Sequence, residues 1–533
     1  MKITRRSFIG SGFAAAGIAG APAILRGATP KRNFLFIHSD DLCNRLNCFG
    51  YPAVKSPNID RLARSGVRFD RSYCQYSLCS PSRSSVMTGL APDTVKVWDL
   101  QTHFRKNIPD VVTMPQAFRA NGYFSGRAGK IYHYNVPSEI GTPGFDDPPS
   151  WDETANPAGA DRTHDEEYVT YIVEPRARSG GSGPGVPGGR QEQGGGTGQG
   201  QRQGSPPPRG AGRRTPSVRI SQDGKTPILP LSKNGDLGVA MAYCRSEFPD
   251  QQMTDYLVAD AVINMMEKHR NEPWFIGAGF FRPHVAWIVP SKYFDMYRLE
   301  DMDVPPYDPN EKTGSPKRPR RPPLALTDQQ HREAMRAYYA STTFMDAQVG
   351  RLLDALERLG LTKNTTIVFW GDNGFQLGEH GLWQKGSLFE MSAKVPMIIA
   401  GAGVKAMGKG CPRTVESLDM YPTALDLCGL QGAPGNLQGR SLAPLLANPD
   451  APWDHPAITQ TSHGNAGGYS MRTERYRYTL WMDRTGGEEL YDYETDPREE
   501  NNLADDSSVA DLKAKLRVTL ERIIRSRGFS GGA

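Results

Sequence analysis

The 533-residue chain has only seven cysteines, and no two of them stand at CxxC spacing, so it carries no zinc knuckle. It has no recognisable nucleotide-binding loop. It also lacks a long apolar run: the longest candidate, at the N-terminus, is interrupted by Gly and Ser throughout, which argues against a stable membrane span. No cysteine precedes Cys43, so lipid attachment near the start is excluded as well. Net basic charge is lacking outside one segment. The net charge is +5, but residues 176 to 219 hold eight arginines against the single acid Glu192, leaving the remainder slightly acidic. A nucleic-acid footprint needs a basic face on folded structure, so nucleic acid is not an expected partner.

What is present begins with "MKITRRSFIGSGFAAAGIAGAPAILRGA". Arg5-Arg6, a mildly apolar Gly/Ala stretch and small residues around Ala21 to Ala23 have the form of a twin-arginine export signal over residues 1–28. The expected location is therefore periplasmic or secreted, reached in the folded state through the twin-arginine machinery. In that oxidising setting an odd cysteine count leaves at least one thiol unpaired. Residues 176–219, made of Gly, Gln, Pro and Arg, have too few large apolar side chains to offset ordering entropy, and predict a disordered insertion in a surface loop.

Apolar runs ending in polar clusters organise the rest. "NFLFIHSDD" predicts a buried strand delivering Asp40 and Asp41 at its C-terminal end, and "TTIVFWGDNG" repeats the arrangement with Asp372 and Asn373. "EPWFIGAGFFRPH" and "KVPMIIAGAG" are two further strands. The segment from Asp328 to Gly360 has apolar residues at three- and four-residue steps, as an amphipathic helix or helix pair requires. Strands alternating with helices predict an α/β fold with a mostly parallel central sheet flanked by helices on both faces. The aromatic and charged alternation around Gly486-Gly487, followed by a helical segment, predicts a smaller C-terminal α+β subdomain containing an antiparallel sheet. The expected division is a catalytic domain over 32–450 and a C-terminal subdomain over 451–533.

Asp40, Asp41, Asp372 and Asn373 form an all-oxygen set suited to one hard divalent cation, with calcium favoured over magnesium. An isolated Asp after a strand is more often a cap or turn residue; the pairing at two strand ends is what points to a metal, because open α/β sheets gather ligands outside the carboxyl ends of their strands. "CSPSR" over residues 79–83 predicts a helix start, with Ser80 as cap and Pro81 in the first position. Cys79 would then face free backbone N-H groups with Arg83 above it, which favours an anion and a low-pKa thiolate. A buried free cysteine or a disulfide with Cys74 are the alternatives.

The C-x-P-x-R run followed by "SSVMTG" resembles the signature of type I sulfatases of the alkaline phosphatase superfamily. The resemblance continues through "HSDD", "GYFSGRAGKIYH", "FRPHVAW", "GDNGFQLGEHGLWQKGSLFE" and the C-terminal "ELYDYETDPREENNLA". Within that family "FGYPAVKSPNIDRLARSGVRFDRSYCQ" and "GKIYH" are most similar to the iduronate-2-sulfatases. The resemblance implies that Cys79 is converted by a maturation enzyme to formylglycine, whose hydrated aldehyde binds calcium and attacks sulfur. It further implies that Asp40, Asp41, Asp372 and Asn373 hold Ca2+ together with residue 79, and that Arg83 and Lys130 hold the diol and sulfate oxygens. His133 would be the base, and His284 and Lys385 would bind sulfate and protonate the departing sugar oxygen. The implied substrate is a sulfated carbohydrate. Asn373 stands where iduronate-2-sulfatases commonly carry histidine, and Phe375 where they often carry a tryptophan bordering the substrate. A phosphonate or phosphate ester hydrolase with the same site, and a non-catalytic glycan-binding protein, are the competing readings. His103, His269, His331, His380, His455 and His463 are expected to be structural, and Trp98, His103 and Trp287 are either pocket-forming or packed aromatics.

Overall fold

The central sheet of the computed structural model is built from Asn33–Ser39 (β1), Gly66–Tyr73 (β2), Phe124–Gly129 (β3), Glu153–Ala155 (β4), Trp274–Phe280 (β5), Thr365–Gly371 (β6), Met397–Gly401 (β7) and Lys409–Glu416 (β8). Their order is β8-β2-β7-β6-β1-β5-β3-β4. Only β7, the "KVPMIIAGAG" run, is antiparallel to its neighbours; every other pairing is parallel. The structure describes residues 31–163, 170–172, 219–220, 227–228, 241–314, 324–432, 434–463, 466–482 and 487–529. The expected export signal and, apart from Arg219, the Arg/Gly-rich insertion lie outside these residues. Among the described residues no helix is long and apolar enough to cross a membrane.

Both central strands, β1 and β6, are buried at every position, as continuous apolar runs in a parallel sheet require. Alternate residues serve opposite faces. Leu35, Ile37, Ile276 and Phe369 share a core with Val258 and Val262 of helix Thr254–Lys268, and with Phe344 and Val349 of Asp328–Arg358. Phe34, Phe36, Phe275 and Trp370 pack with Val86 and Met87 of helix Cys79–Thr88, and with Tyr421 of Met420–Cys428. The segment from Asp328 is one helix, not a pair. A capping box between Thr327 and Gln330 starts it, and Gly360 at φ +70° follows its end.

Register places the site. Ser39 is level with Gly371 on one side and Phe280 on the other, and Gly129 is level with Gly279. The residues that follow these four strand ends therefore emerge along one edge of the sheet. Close approach there depends on glycine: a Cβ on Gly279 would lie 2.4 Å from the Lys130 backbone, and one on Gly129 2.2 Å from the Gly279 carbonyl oxygen. That contact sets Lys130 beside the end of β1.

The C-terminal subdomain is an antiparallel meander of Ala457–His463 (β9), Ala466–Arg472 (β10), Tyr476–Trp481 (β11) and Glu488–Asp492 (β12). The pairing around Gly487 was legible in the sequence; the first two strands were not. Leu520 and Ile524 of helix Ala510–Ser526 cover Met471, Tyr478 and Leu490. This sheet is tied to the short helix Glu390–Ala393, just before β7, by Arg477, whose side chain is 1% exposed. Arg477 meets Glu390 Oε2 at 2.5 Å, pairs with Glu499 and donates to Ser470 Oγ at 3.0 Å. Arg477→Met leaves the buried Glu499 and the partly buried Glu390 without this guanidinium and is expected to cost about 3–5 kcal/mol. A lowered urea midpoint checks it, and an unchanged midpoint contradicts it.

Candidate active site

Leu78 is extended, at φ −153° and ψ 142°, and the helix begins at Cys79 itself, with Ser82 N donating to Leu78 O at 3.2 Å. Ser80 therefore lies within the first turn and does not cap it, one residue away from the sequence expectation. All ten residues of this helix are buried. Ser82 Oγ donates to the Asp372 carbonyl at 2.5 Å, joining the helix to the end of β6.

In an extended strand Asp40 and Asp41 would point to opposite faces. Asp41 instead takes φ 60°, a left-handed turn that directs both carboxylates into one cluster. Tyr338 Oη holds that turn, donating to Asp41 O and accepting from Cys43 N, each at 2.8 Å. From β6, Asp372 Oδ1 accepts from Asp41 N at 3.0 Å, and Asn373 Nδ2 donates to Asp41 Oδ1 at 2.9 Å.

The cations interleave with these acids. Arg83 forks between Asp372 Oδ2 at 2.9 Å and Asp40 Oδ1 at 2.8 Å, and its remaining nitrogen donates to Lys130 O at 2.6 Å. Lys130 Nζ meets Asp40 Oδ2 at 2.7 Å. Lys385 Nζ pairs with Asp41 and reaches Cys79 Sγ at 2.9 Å. The thiol itself lies 3.4 Å from Asp40 Oδ1 and 3.7 Å from Asp41 Oδ1. His284 Nε2 stands 3.6 Å from Asp41 Oδ2, with its Nδ1 bonded to Val285 O at 2.5 Å. Nine of the ten residues singled out in the sequence are thus joined by direct contacts. The tenth, His133, feels the charges of Lys130, Arg83 and Asp40, and neither of its buried ring nitrogens has a hydrogen-bond partner.

Burial pushes Asp40 up, but Lys130 and Arg83 outweigh it and hold the carboxylate well below its usual range. Lys385 and His284 likewise overcome burial to lower Asp41. Asp372 ends at about 6, because burial there exceeds the pull of Arg83. Burial takes His284 down to about 4 and His133 well below the histidine range, so both rings are neutral. Cys79 corrects an expectation. Burial, then Asp372 and Asp40, push the thiol well above its usual range, so the helix N-terminus does not make it a thiolate. Cys74 and Cys79 are both free, and Cys74 Sγ faces Ser392 O at 3.9 Å, so the proposed disulfide is absent.

One carboxylate oxygen or thiol sulfur from each of Asp40, Asp41, Cys79 and Asp372 lies within 4.8 Å of the others. Asp41 Oδ2 and Asn373 Oδ1 are buried without a hydrogen-bond partner. Orphaned oxygens aimed into an oxygen-rich cluster fit a hard cation.

Other expectations divide. Trp287 is buried, donating to Pro283 O and packing on Tyr338, and Phe375 is 1% exposed and stacked on Tyr338. Both pack among core aromatics. His103 caps the turn Phe104–Lys106, and Trp98 alone of the three pocket candidates presents an exposed ring. His269 pairs with Glu272 and His380 with Glu311, as structural histidines do. His463's side chain lies outside the described residues. Sequence reasoning missed His38, which is buried two residues before Asp40 and lies 3.9 Å from Asp372 Oδ2. The available signal was a histidine inside an otherwise apolar buried strand.

Residues 32–430 match the sulfatase family model, and residues 378–526 match the C-terminal model of N-sulphoglucosamine sulphohydrolase. A sulfatase of Formosa agariphila is 31% identical over 92% of this chain and 87% of its own length. That exceeds the similarity to mouse iduronate 2-sulfatase, which is 27% identical over 92% of this chain and 94% of its own length. A phosphonate monoester hydrolase from Silicibacter pomeroyi shares the fold, with a TM-score of 0.68, 22% identity, and coverage of 93% of this chain and 96% of that one. A match across three quarters of the chain, together with an intact acid, cysteine and cation cluster at the strand ends, means that this protein belongs to the sulfatase family, the formylglycine-dependent sulfuric ester hydrolases.

Proposed function

We propose that the enzyme hydrolyses the sulfate monoester of a sulfated carbohydrate, in the manner of an iduronate-2-sulfatase, using formylglycine made from Cys79 by a maturation enzyme. The observation that carries this reading is Cys79 Sγ lying beside Lys385 Nζ, at 2.9 Å, within a buried cluster of three carboxylates. We assign Asp40, Asp41, Asp372 and Asn373 to one Ca2+, favoured over magnesium because four protein side chains would supply oxygens. When bound, that ion would polarise the sulfuryl oxygens and orient the nucleophile. Formylglycine would supply a geminal diol, with one hydroxyl to attack sulfur and a second whose deprotonation releases sulfate.

The chain's own residues account for the remaining demands. A sulfate monoester is anionic and must meet positive charge. Arg83 and Lys130 lie 1% and 0% exposed within the cluster, whereas Lys385, at 16%, is the most exposed of the three cations. His133, neutral and free at both ring nitrogens, is suited to accept a proton. His284 donates through Nδ1 to Val285 O, leaving Nε2 toward the reacting centre. A bound sulfate adds negative charge beside that ring and favours its protonated form, so Nε2 can pass a proton to the departing sugar oxygen. The twin-arginine segment supports a site of action outside the cytoplasm.

The test uses protein coexpressed with a formylglycine-generating enzyme. An aryl sulfate, an aryl phosphonate and a 2-sulfated uronate disaccharide are compared at equal concentration. Fastest turnover of the disaccharide is expected; preference for the phosphonate would move the site to phosphorus esters, and turnover of none would favour a binding protein. Chelation is expected to abolish activity reversibly. Calcium at 100 times its Kd is expected to add about 2.7 kcal/mol of stability, read as a raised melting temperature. A midpoint indifferent to calcium contradicts the metal assignment.

A further inference from the structure

The loop carrying His284 is held from behind by a buried set of charges. Phe281 N and Arg282 N donate to the two oxygens of Asp255 at 2.8 and 3.0 Å. Arg282 reaches Asp161 Oδ2 at 2.8 Å, Ile288 O at 3.2 Å and His284 O at 3.3 Å. Asp161 accepts from Thr254 N at 2.8 Å and Thr254 Oγ1 at 2.6 Å, which fastens the set to the first turn of helix Thr254–Lys268. Ser39 Oγ donates to Arg282 O at 2.8 Å, one residue before Asp40. Asp161, Asp255 and Arg282 are at most 2% exposed.

Buried ion pairs are weak stabilisers, since desolvation offsets most of their attraction, and an apolar core could fill the same space. What this arrangement supplies is direction. The imidazole of His284 makes its hydrogen bond within its own loop, to Val285 O, and beyond that loop its Nε2 stands 3.6 Å from Asp41 Oδ2, so placing the ring against Asp41 depends on holding the loop. We infer that Asp255 and Arg282, braced by Asp161, are positioning residues that hold His284 Nε2 at the departing oxygen of the ester. This rests on the assignment of His284 as proton donor.

The experiment compares two sulfate esters with the matured full chain. One releases an acidic phenol that departs without a proton, the other a sugar hydroxyl that needs one. Asp255→Asn keeps the shape but turns one acceptor oxygen into an amide group. It is expected to lower kcat on the sugar sulfate roughly 10- to 100-fold through misplacement of the donor. The aryl sulfate should change by about twofold at most, because its leaving group does not call on the acid. KM should hold for both. Arg282→Lys, which keeps the charge but not the fork, should act in the same direction and covers the case in which Asp255→Asn does not fold. His284→Ala is the reference. If it slows both esters equally, the proton-donor assignment is wrong. If it is selective for the sugar sulfate while the folded bracket variants slow both esters equally or neither, the positioning inference is overturned.

Discussion

Cys79→Ala is expected to lower sulfate release by roughly 10⁴-fold or more, since it removes the nucleophile around which the other groups are arranged. The reason lies in the field at Sγ. The unmodified thiol is buried and faces Asp40, Asp41 and Asp372, so it stays protonated and is a poor nucleophile as it stands. Replacement by an aldehyde removes the need for a thiolate and gives the oxygen cluster an oxygen to bind. Mass spectrometry of the peptide containing residue 79, from native exported protein, checks the premise. Formylglycine is expected there, and an unmodified cysteine in fully active protein would overturn the mechanism. The Ala variant should keep its melting temperature within a few degrees, because only one sulfur atom is lost from the packed site. A collapse of the fold would mean that the thiol contributes to structure.

Arg83→Met is expected to damage stability and activity together. Arg83 is the shared partner of Asp40 and Asp372, and among the described residues the Lys130 ion pair is the one left on Asp40 once it is gone. Leaving buried carboxylates uncompensated costs about 3–5 kcal/mol. A divalent cation in the same cluster neutralises those carboxylates, so calcium should raise the melting temperature of the variant more than that of the parent protein. Arg83→Lys keeps the charge, but a single ammonium cannot bridge two carboxylates and the Lys130 and Ile131 carbonyls together. It should retain much of the stability while kcat falls by roughly 10²-fold or more. Equal calcium shifts in parent and Met variant would refute the coupling of Arg83 to the metal cluster.

The parts of the site that local chemistry marks were legible in the chain. Asp40, Asp41, Asp372 and Asn373 follow apolar runs too short for a buried helix, so their place at strand ends followed. Arg83, Lys130, His133, His284 and Lys385 came from motif context. Directions were not legible. Asp41's left-handed turn, the burial of Phe375 behind Tyr338 and the bracket behind His284 depend on residues from other segments of the chain, such as Tyr338 for Asp41 and Asp161 for Arg282.

By itself, then, the sequence determined the alternation of buried strands with amphipathic helices, the composition of the polar cluster and the family to which it is similar, because these depend on residue type and spacing along one segment. Only the tertiary structure decided that Cys79 is held as a thiol rather than a thiolate, that β7 runs against its neighbours, and that Asp255 and Arg282 stand behind the loop of His284. The field at one atom is a sum over charges from every element packed around it. At Cys79 those charges come from β1, β6 and the loop of Lys385, which meet only when the sheet register brings their ends to one edge.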